Sequence, residues 1–163
     1  MKDLDRDTLS RLSFVKGTNS NPVWTPDGSN IVFRSTDSAV PGLYWIRTDG
    51  SGEAQRLTDG DVSHAKLGKP ELFLGTPFAE SSPMFSPDGR WLAYVSTQSE
   101  TQEIYVRPFP GPGGRKQISS GGGNYPVWSK NGCELLFQSL DQRVMAVSFT
   151  ANGESFIAGK PRV

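Results

Sequence analysis

One pattern is written three times in this chain: NPVWTPDGSNIVF at residues 21–33, SPMFSPDGRWLAY at 82–94 and YPVWSKNGCELLF at 125–137. A repeat of this kind constrains the fold before any local signal does, because a unit that cannot bury its own apolar face has to stack on a neighbour. In each copy a short apolar run leads into Pro-Asp-Gly or Lys-Asn-Gly and out into a second apolar run. Proline presets φ at the first central position of a tight turn, Asp or Asn bonds to nearby backbone, and Gly takes positive φ without a Cβ clash. Each copy is therefore a β-hairpin, and three in series predict the inner hairpins of propeller blades.

Extending each hairpin outward predicts four antiparallel strands per blade. The first blade spans residues 21–59, with strands at 22–25, 31–35, 43–47 and 54–58. The second spans 82–120, with strands at 84–86, 91–96, 103–108 and 116–119. The third spans 125–163, with strands at 127–129, 135–138, 144–148 and 155–163. Continuous apolar runs such as LAYV at 92–95 fit strands buried on both faces between neighbouring blades. The spacing is uneven: about 60 residues separate the first two copies and about 43 the last two, against about 40–45 for a typical blade. The excess is too short for another blade. It contains PELFL at 70–74, which reads as an outermost strand without an inner hairpin, as does TLSRLSF at 8–14. The expectation is one all-β domain of three blades with two orphan outer strands.

Lys plus Arg and Asp plus Glu both number 17 in the 163 residues, so the formal net charge is zero. Without a basic field, partners among nucleic acids and anionic membranes are disfavoured. Cys133 is the only cysteine, which excludes an internal disulfide and a cysteine-based metal cluster. It occupies the turn position held by Ser29 and Arg90 in the other copies and reads as a surface thiol. No apolar leader opens the sequence, so a cytoplasmic location is expected.

Candidate chemistry is sparse. His64 is the only histidine, and its neighbour Ser63 points to the opposite side of an extended chain, so the two do not make a nucleophile and base. No Gly-x-Ser-x-Gly elbow is present. The glycine-rich stretches 111–116 and 121–123 lack Walker spacing and read as connections rather than phosphate cradles. Asp3, Asp5 and Asp7 would share one face of an extended strand, which fits a solvated edge better than a cation site. Asp27 and Asp88 read as turn residues rather than calcium ligands. Trp24, Trp45, Trp91 and Trp128 fall on strands, and two of them share a repeat position, as expected of wedges between blades. No catalytic, cofactor-binding or metal-binding residue is assigned.

WTPDG at 24–28 and FSPDGRWLAY at 85–94 resemble the repeats of TolB-like propellers. The stretch VSTQSETQEIYVRPFPGPGG at 95–114, followed by PVWS at 126–129 and AGKPR at 158–162, is similar to the propeller carried C-terminally by many bacterial serine/threonine protein kinases. The resemblance implies a sensory or protein-interaction domain. It does not imply a kinase, since no ATP loop or catalytic-loop signature is present. In that family a further blade would stand between Gly60 and Pro70.

Three blades cannot close a ring that usually takes about four to eight. Two chains meeting head to tail about a two-fold would make six, with strand 8–14 completing the last blade of the partner. The expected function is a non-enzymatic module that pairs with itself and presents loops at the channel mouth to a protein or small ligand. The alternatives are a remnant of a kinase sensor propeller without independent activity, and a hydrolase or lyase using the channel.

Overall fold

In the computed structural model the described residues are 2–3, 8–9, 17–36, 41–49, 71–74, 76–111, 113–153 and 155–163. They form three four-stranded antiparallel sheets and one two-stranded hairpin. The hairpin pairs β1 (Lys2–Asp3) with β2 (Thr8–Leu9). The first sheet is β3 (Asn19–Trp24), β4 (Asn30–Ser35), β5 (Gly42–Arg47) and β6 (Glu71–Leu74). The second is β7 (Glu80–Phe85), β8 (Trp91–Ser96), β9 (Glu103–Pro108) and β10 (Lys116–Gln117). The third is β11 (Asn124–Trp128), β12 (Glu134–Gln138), β13 (Val144–Asn152) and β14 (Ser155–Ala158).

Both expected orphan strands change their standing. Glu71–Leu74 is the fourth strand of the first sheet, paired with β5. Phe73 and Leu74 are buried there and close an apolar cluster with Val32 and Leu43, which the less apolar stretch 54–58 has no equivalent side chains to do. Residues 54–58, expected in that place, lie outside the described residues. At the N-terminus Thr8–Leu9 pairs with Lys2–Asp3 instead of standing alone, and residues 10–14 lie outside the described residues.

The sheets stack face to face. Val32, Leu43, Phe73 and Leu74 of the first meet Phe85, Leu92, Tyr94 and Tyr105 of the second. The opposite face of the second sheet, with Trp91, Ala93, Val95, Ile104 and Val106, meets Trp128, Leu135, Phe137 and Val147 of the third. Every residue of the central strand β8 is buried in consequence, as a two-sided strand requires. Phe33, Tyr44 and Ile46 form a smaller buried cluster on the other side of the first sheet.

The three copies superpose hydrogen bond by hydrogen bond. The amides of Thr48, Phe109 and Phe149 donate to the carbonyls of Ser29, Arg90 and Cys133 at 3.0, 2.9 and 3.1 Å, which makes each trio repeat-equivalent. Each inner strand also carries a bulge, at Asn21, Ser82 and Tyr125, where the register shifts and φ is +53, +51 and +54°. A residue before proline normally stays extended, so this left-handed conformation is imposed by the sheet and not by local preference.

Candidate functional site

The three hairpin turns lie on one face of the stack, and their chemistry repeats. The amides of Asn30, Trp91 and Glu134 donate to the hydroxyls of Thr25, Ser86 and Ser129 at 3.0, 3.0 and 2.9 Å. Those hydroxyls donate in turn to Asp27, Asp88 and Asn131, whose Oδ1 atoms accept the amides of Ser29, Arg90 and Cys133 at 3.1, 3.2 and 3.1 Å. Gly28, Gly89 and Gly132 take φ of +70, +73 and +67°. Asp27 and Asp88 are thus built into the turns as the sequence predicts. Cys133 is exposed beside the third turn.

Between successive turns lie two clefts of similar size. The first, about 430 Å³, is lined by Asp27, Asn30, Trp45 and Phe109 with Pro26, Asp88 and Pro110 around them. The second, about 410 Å³, is lined by Pro87, Asp88, Lys130, Asn131 and Phe149. Phe109 and Phe149 are repeat-equivalent, so the clefts share a plan and differ in their rims. Trp45 meets Phe109 edge-on, with centroids 6.0 Å apart. The register of β4 with β5 and of β8 with β9 sets Trp45 opposite Val32 and Val106 opposite Ala93, so valine replaces the indole at the equivalent point of the second sheet.

The charges differ as well. Hydroxyl donation from Thr25, helped by Ser29, holds the Asp27 carboxyl down at about 2. No cation stands beside it among the described residues. Burial works against ionisation of Asp88, but Ser86 and Arg90 outweigh it and keep its pKa below the usual value; Arg90 Nε lies 2.8 Å from Asp88 Oδ2. Asn30 Nδ2 is spent on Ser29 at 2.7 Å, whereas its Oδ1 is buried without a hydrogen-bond partner.

On the opposite face of the stack, the glycine loop read as a plain connection does hold an anion, and it is one of the chain's own. Gly121 and Gly122 donate their amides to Glu103 Oε1 at 2.9 and 2.8 Å, Thr101 adds its hydroxyl to the same oxygen, and Ser119 donates to Oε2. Glu103 is buried, and successive backbone amides are suited to such a charge. No repeat signal marks this residue, because Ser119, Gly121 and Gly122 reach it from 16, 18 and 19 positions away. Glu103→Gln places an NH₂ against donors. The expected loss is about 2 kcal/mol of stability, from charge-assisted bonds given up in a buried site, read as a lower urea midpoint with an unchanged slope.

The remaining candidates separate. Ser63, His64, Asp5 and Asp7 lie outside the described residues. Trp91 and Trp128 are buried between the second and third sheets, Trp45 lines the first cleft, and Trp24 is 48% exposed. Trp24 is therefore not the core wedge that its repeat position predicts, because no sheet stacks ahead of the first among the described residues. Among them no group of three or more metal-ligating side chains occurs, and no helix is long and apolar enough to cross a membrane.

No protein-family model matches the chain. An uncharacterised protein of Agrobacterium fabrum, Atu1656, is 24% identical over 147 residues, covering 83% of this chain and 44% of that protein. The Tol-Pal system protein TolB of Francisella tularensis is 38% identical over 79 residues, covering 48% of this chain and 14% of TolB. A probable dipeptidyl-peptidase 5 of Aspergillus clavatus is 28% identical over 151 residues, covering 80% of this chain and 20% of that protein. Among solved structures, TolB of Acinetobacter baumannii superposes with a TM-score of 0.61 at 18% identity, over 86% of this chain and 31% of TolB. A TolB-type protein of Agrobacterium tumefaciens gives 0.61 at 19%, over 88% and 50%. The three sheets are blades of a TolB-like β-propeller, and the chain spans less than half the length of the curated relatives it matches.

Proposed function

We propose that this chain is a non-enzymatic, protein-binding propeller module of the kind borne by bacterial serine/threonine kinases, and that two copies close head to tail into a six-bladed ring. The observation that carries the assembly is the far face of the third sheet. Val127 and Val144 are 48% and 65% exposed there, with Leu136 and Ala146 in the same cross-strand row as Val127. Their repeat-equivalents in the second sheet, Ala93, Ile104 and Val106, are buried under the third sheet. A following blade covers this face wherever one is present, and an apolar sheet face left open marks an interaction surface.

A second copy offers the matching side. Trp24 is the repeat-equivalent of Trp128, whose indole N–H donates to the Met84 carbonyl of the preceding sheet at 2.9 Å. Met84 is in turn equivalent to Val127, so Trp24 of one copy is placed to donate to Val127 of the other. Phe33, Tyr44 and Ile46, with Ile31 packed against them, make the corresponding side of the first sheet apolar.

A binding role is supported by the way the polar groups are spent. The turn aspartates are held in place by the hydroxyls and amides of their own turns, and the glycine loop is filled by Glu103. Light scattering on a sizing column is expected to give twice the chain mass of 17.8 kDa, falling to the monomer in the double variant Val127→Glu, Val144→Glu. A monomeric unmodified chain rejects the ring.

A further inference from the structure

We propose that the cleft between the first and second blades is a guanidinium site, taking an arginine side chain from a protein partner. The inference rests on the protein-binding role only for the source of the arginine, and it holds whether or not two copies close a ring. The second cleft serves as an internal control, since the repeat builds both on one plan and the differences between them define what the first is for.

Three differences matter, and all point to a cation. Position 29 in the first turn is Ser where the second turn has Arg90, so Asp27 keeps its full charge where Asp88 is paired. The next turn contributes Asp88 and Gly89 to the first cleft but Asn131 and Lys130 to the second, so among the described lining residues an ammonium stands in the mouth of the second cleft and not of the first. The side wall is Trp45 in the first and Val106 at the corresponding point of the second sheet. Two acceptors in the first cleft stand out: Asp27 carries a carboxylate, and Asn30 Oδ1 is buried without a hydrogen-bond partner. A ligand there must donate hydrogen bonds, bear positive charge and lie against aromatic rings.

A guanidinium meets all three needs. It is planar, always charged and weakly hydrated, so it stacks on an indole at less desolvation cost than an ammonium. The floor of Trp45, Phe109, Pro26 and Pro110 suits the apolar stem that carries it. The site needs no rearrangement of the turns, because Asp27 is already fixed by Thr25 and Ser29.

The test uses N-acetyl-arginine methylamide, with the citrulline counterpart as a neutral isostere, followed by ¹⁵N NMR on the full chain. Arginine is expected to shift the Trp45 indole N–H and the Gly28 and Gly89 amides saturably, with citrulline weaker by about tenfold or more, as expected for a desolvated ion pair over an aromatic face. Asp27→Asn is expected to remove that preference while the turn stays folded, since the third turn already carries Asn131 there. Trp45→Val, which copies the second sheet, is expected to weaken arginine binding with Asp27 intact. Equal binding of arginine and citrulline, an unaffected Asp27→Asn variant, or shifts centred on Lys130 would each overturn the proposal, as would no shift at millimolar probe. None of these outcomes bears on the solution mass, so failure of the site and failure of the ring are told apart.

Discussion

Trp128→Ala is expected to cost about 3–5 kcal/mol, the usual loss when a large aromatic is deleted from a packed core. Trp128 holds the third sheet to the second in two ways. Its ring, 7% exposed, sits in the apolar cluster shared with Trp91, Ala93 and Val95 of the second sheet, edge-on to Phe149 and Phe156 of its own sheet at 5.0 and 6.1 Å, and its N–H crosses to the Met84 carbonyl. Removing the side chain leaves both a cavity and a carbonyl without its donor, and the two costs add. Trp128→Phe separates them, because it keeps most of the ring and loses only the N–H, for about 1–2 kcal/mol. Domains of this size have about 5–15 kcal/mol in total, so the alanine variant is expected to melt in two steps, the third sheet first. Urea unfolding followed by backbone circular dichroism, with hydrogen exchange of β12 and β13, checks this; equal losses for the two variants would mean that the ring packs too loosely to matter.

The hairpin repeat was legible in the sequence because each of its parts has a local cause. Pro26, Asp27 and Gly28 set a turn wherever they stand together, and the strands around them are apolar enough to be found without tertiary information. The outer strands were not legible in the same way. Residues 54–58 and 70–74 both follow the first hairpin and both have β character, and the choice between them depends on a hole beneath Phe85 and Phe109 that only the assembled second blade creates; Phe73 fills it, with its ring 5.2 Å from Phe109. The bulges at Asn21, Ser82 and Tyr125 run against the preference of a residue before proline, so the sheet overrides the local signal. Glu103 shows the reverse case. The loop 121–123 looked like an empty glycine connection because the anion it binds is far away in sequence. The guanidinium cleft was within reach of the sequence, through the substitution of Ser29 for Arg90 and of Trp45 for Val106, but the comparison has a physical meaning only once the register shows that these positions line equivalent clefts.

Glu80 is expected to make this protein less stable as pH rises from about 4.5 to about 7, the opposite of ordinary carboxylates. It begins the innermost strand of the second sheet, at the end of a cross-strand row with Ser96 and Glu103, and is 2% exposed. One oxygen accepts the Thr76 hydroxyl; the other is buried with no partner. Arg34 reaches only its backbone carbonyl, at 3.2 Å. Burial therefore dominates, over the opposing Thr76 bond and the charge of Arg115, and pushes the carboxyl up to about 7 from 4.5. Between those values the native chain keeps a proton that the unfolded chain has released, so the native state binds more protons and stability falls with rising pH. The loss over the window is about 3 kcal/mol at most, at 1.36 kcal/mol per pH unit between the two values, and the curve flattens above pH 7. Asp27 and Asp88 act in the opposite sense but below pH 4, outside this range. Glu80→Gln keeps the shape and removes the proton, so its stability between pH 5 and 8 is expected to lack the Glu80 contribution and to exceed the unmodified chain's at pH 8. Taking the difference between the two proteins' urea midpoints across that range isolates Glu80 from every group the two proteins share. Parallel curves would show that the carboxylate is solvated in the native state, and that its missing partner is water.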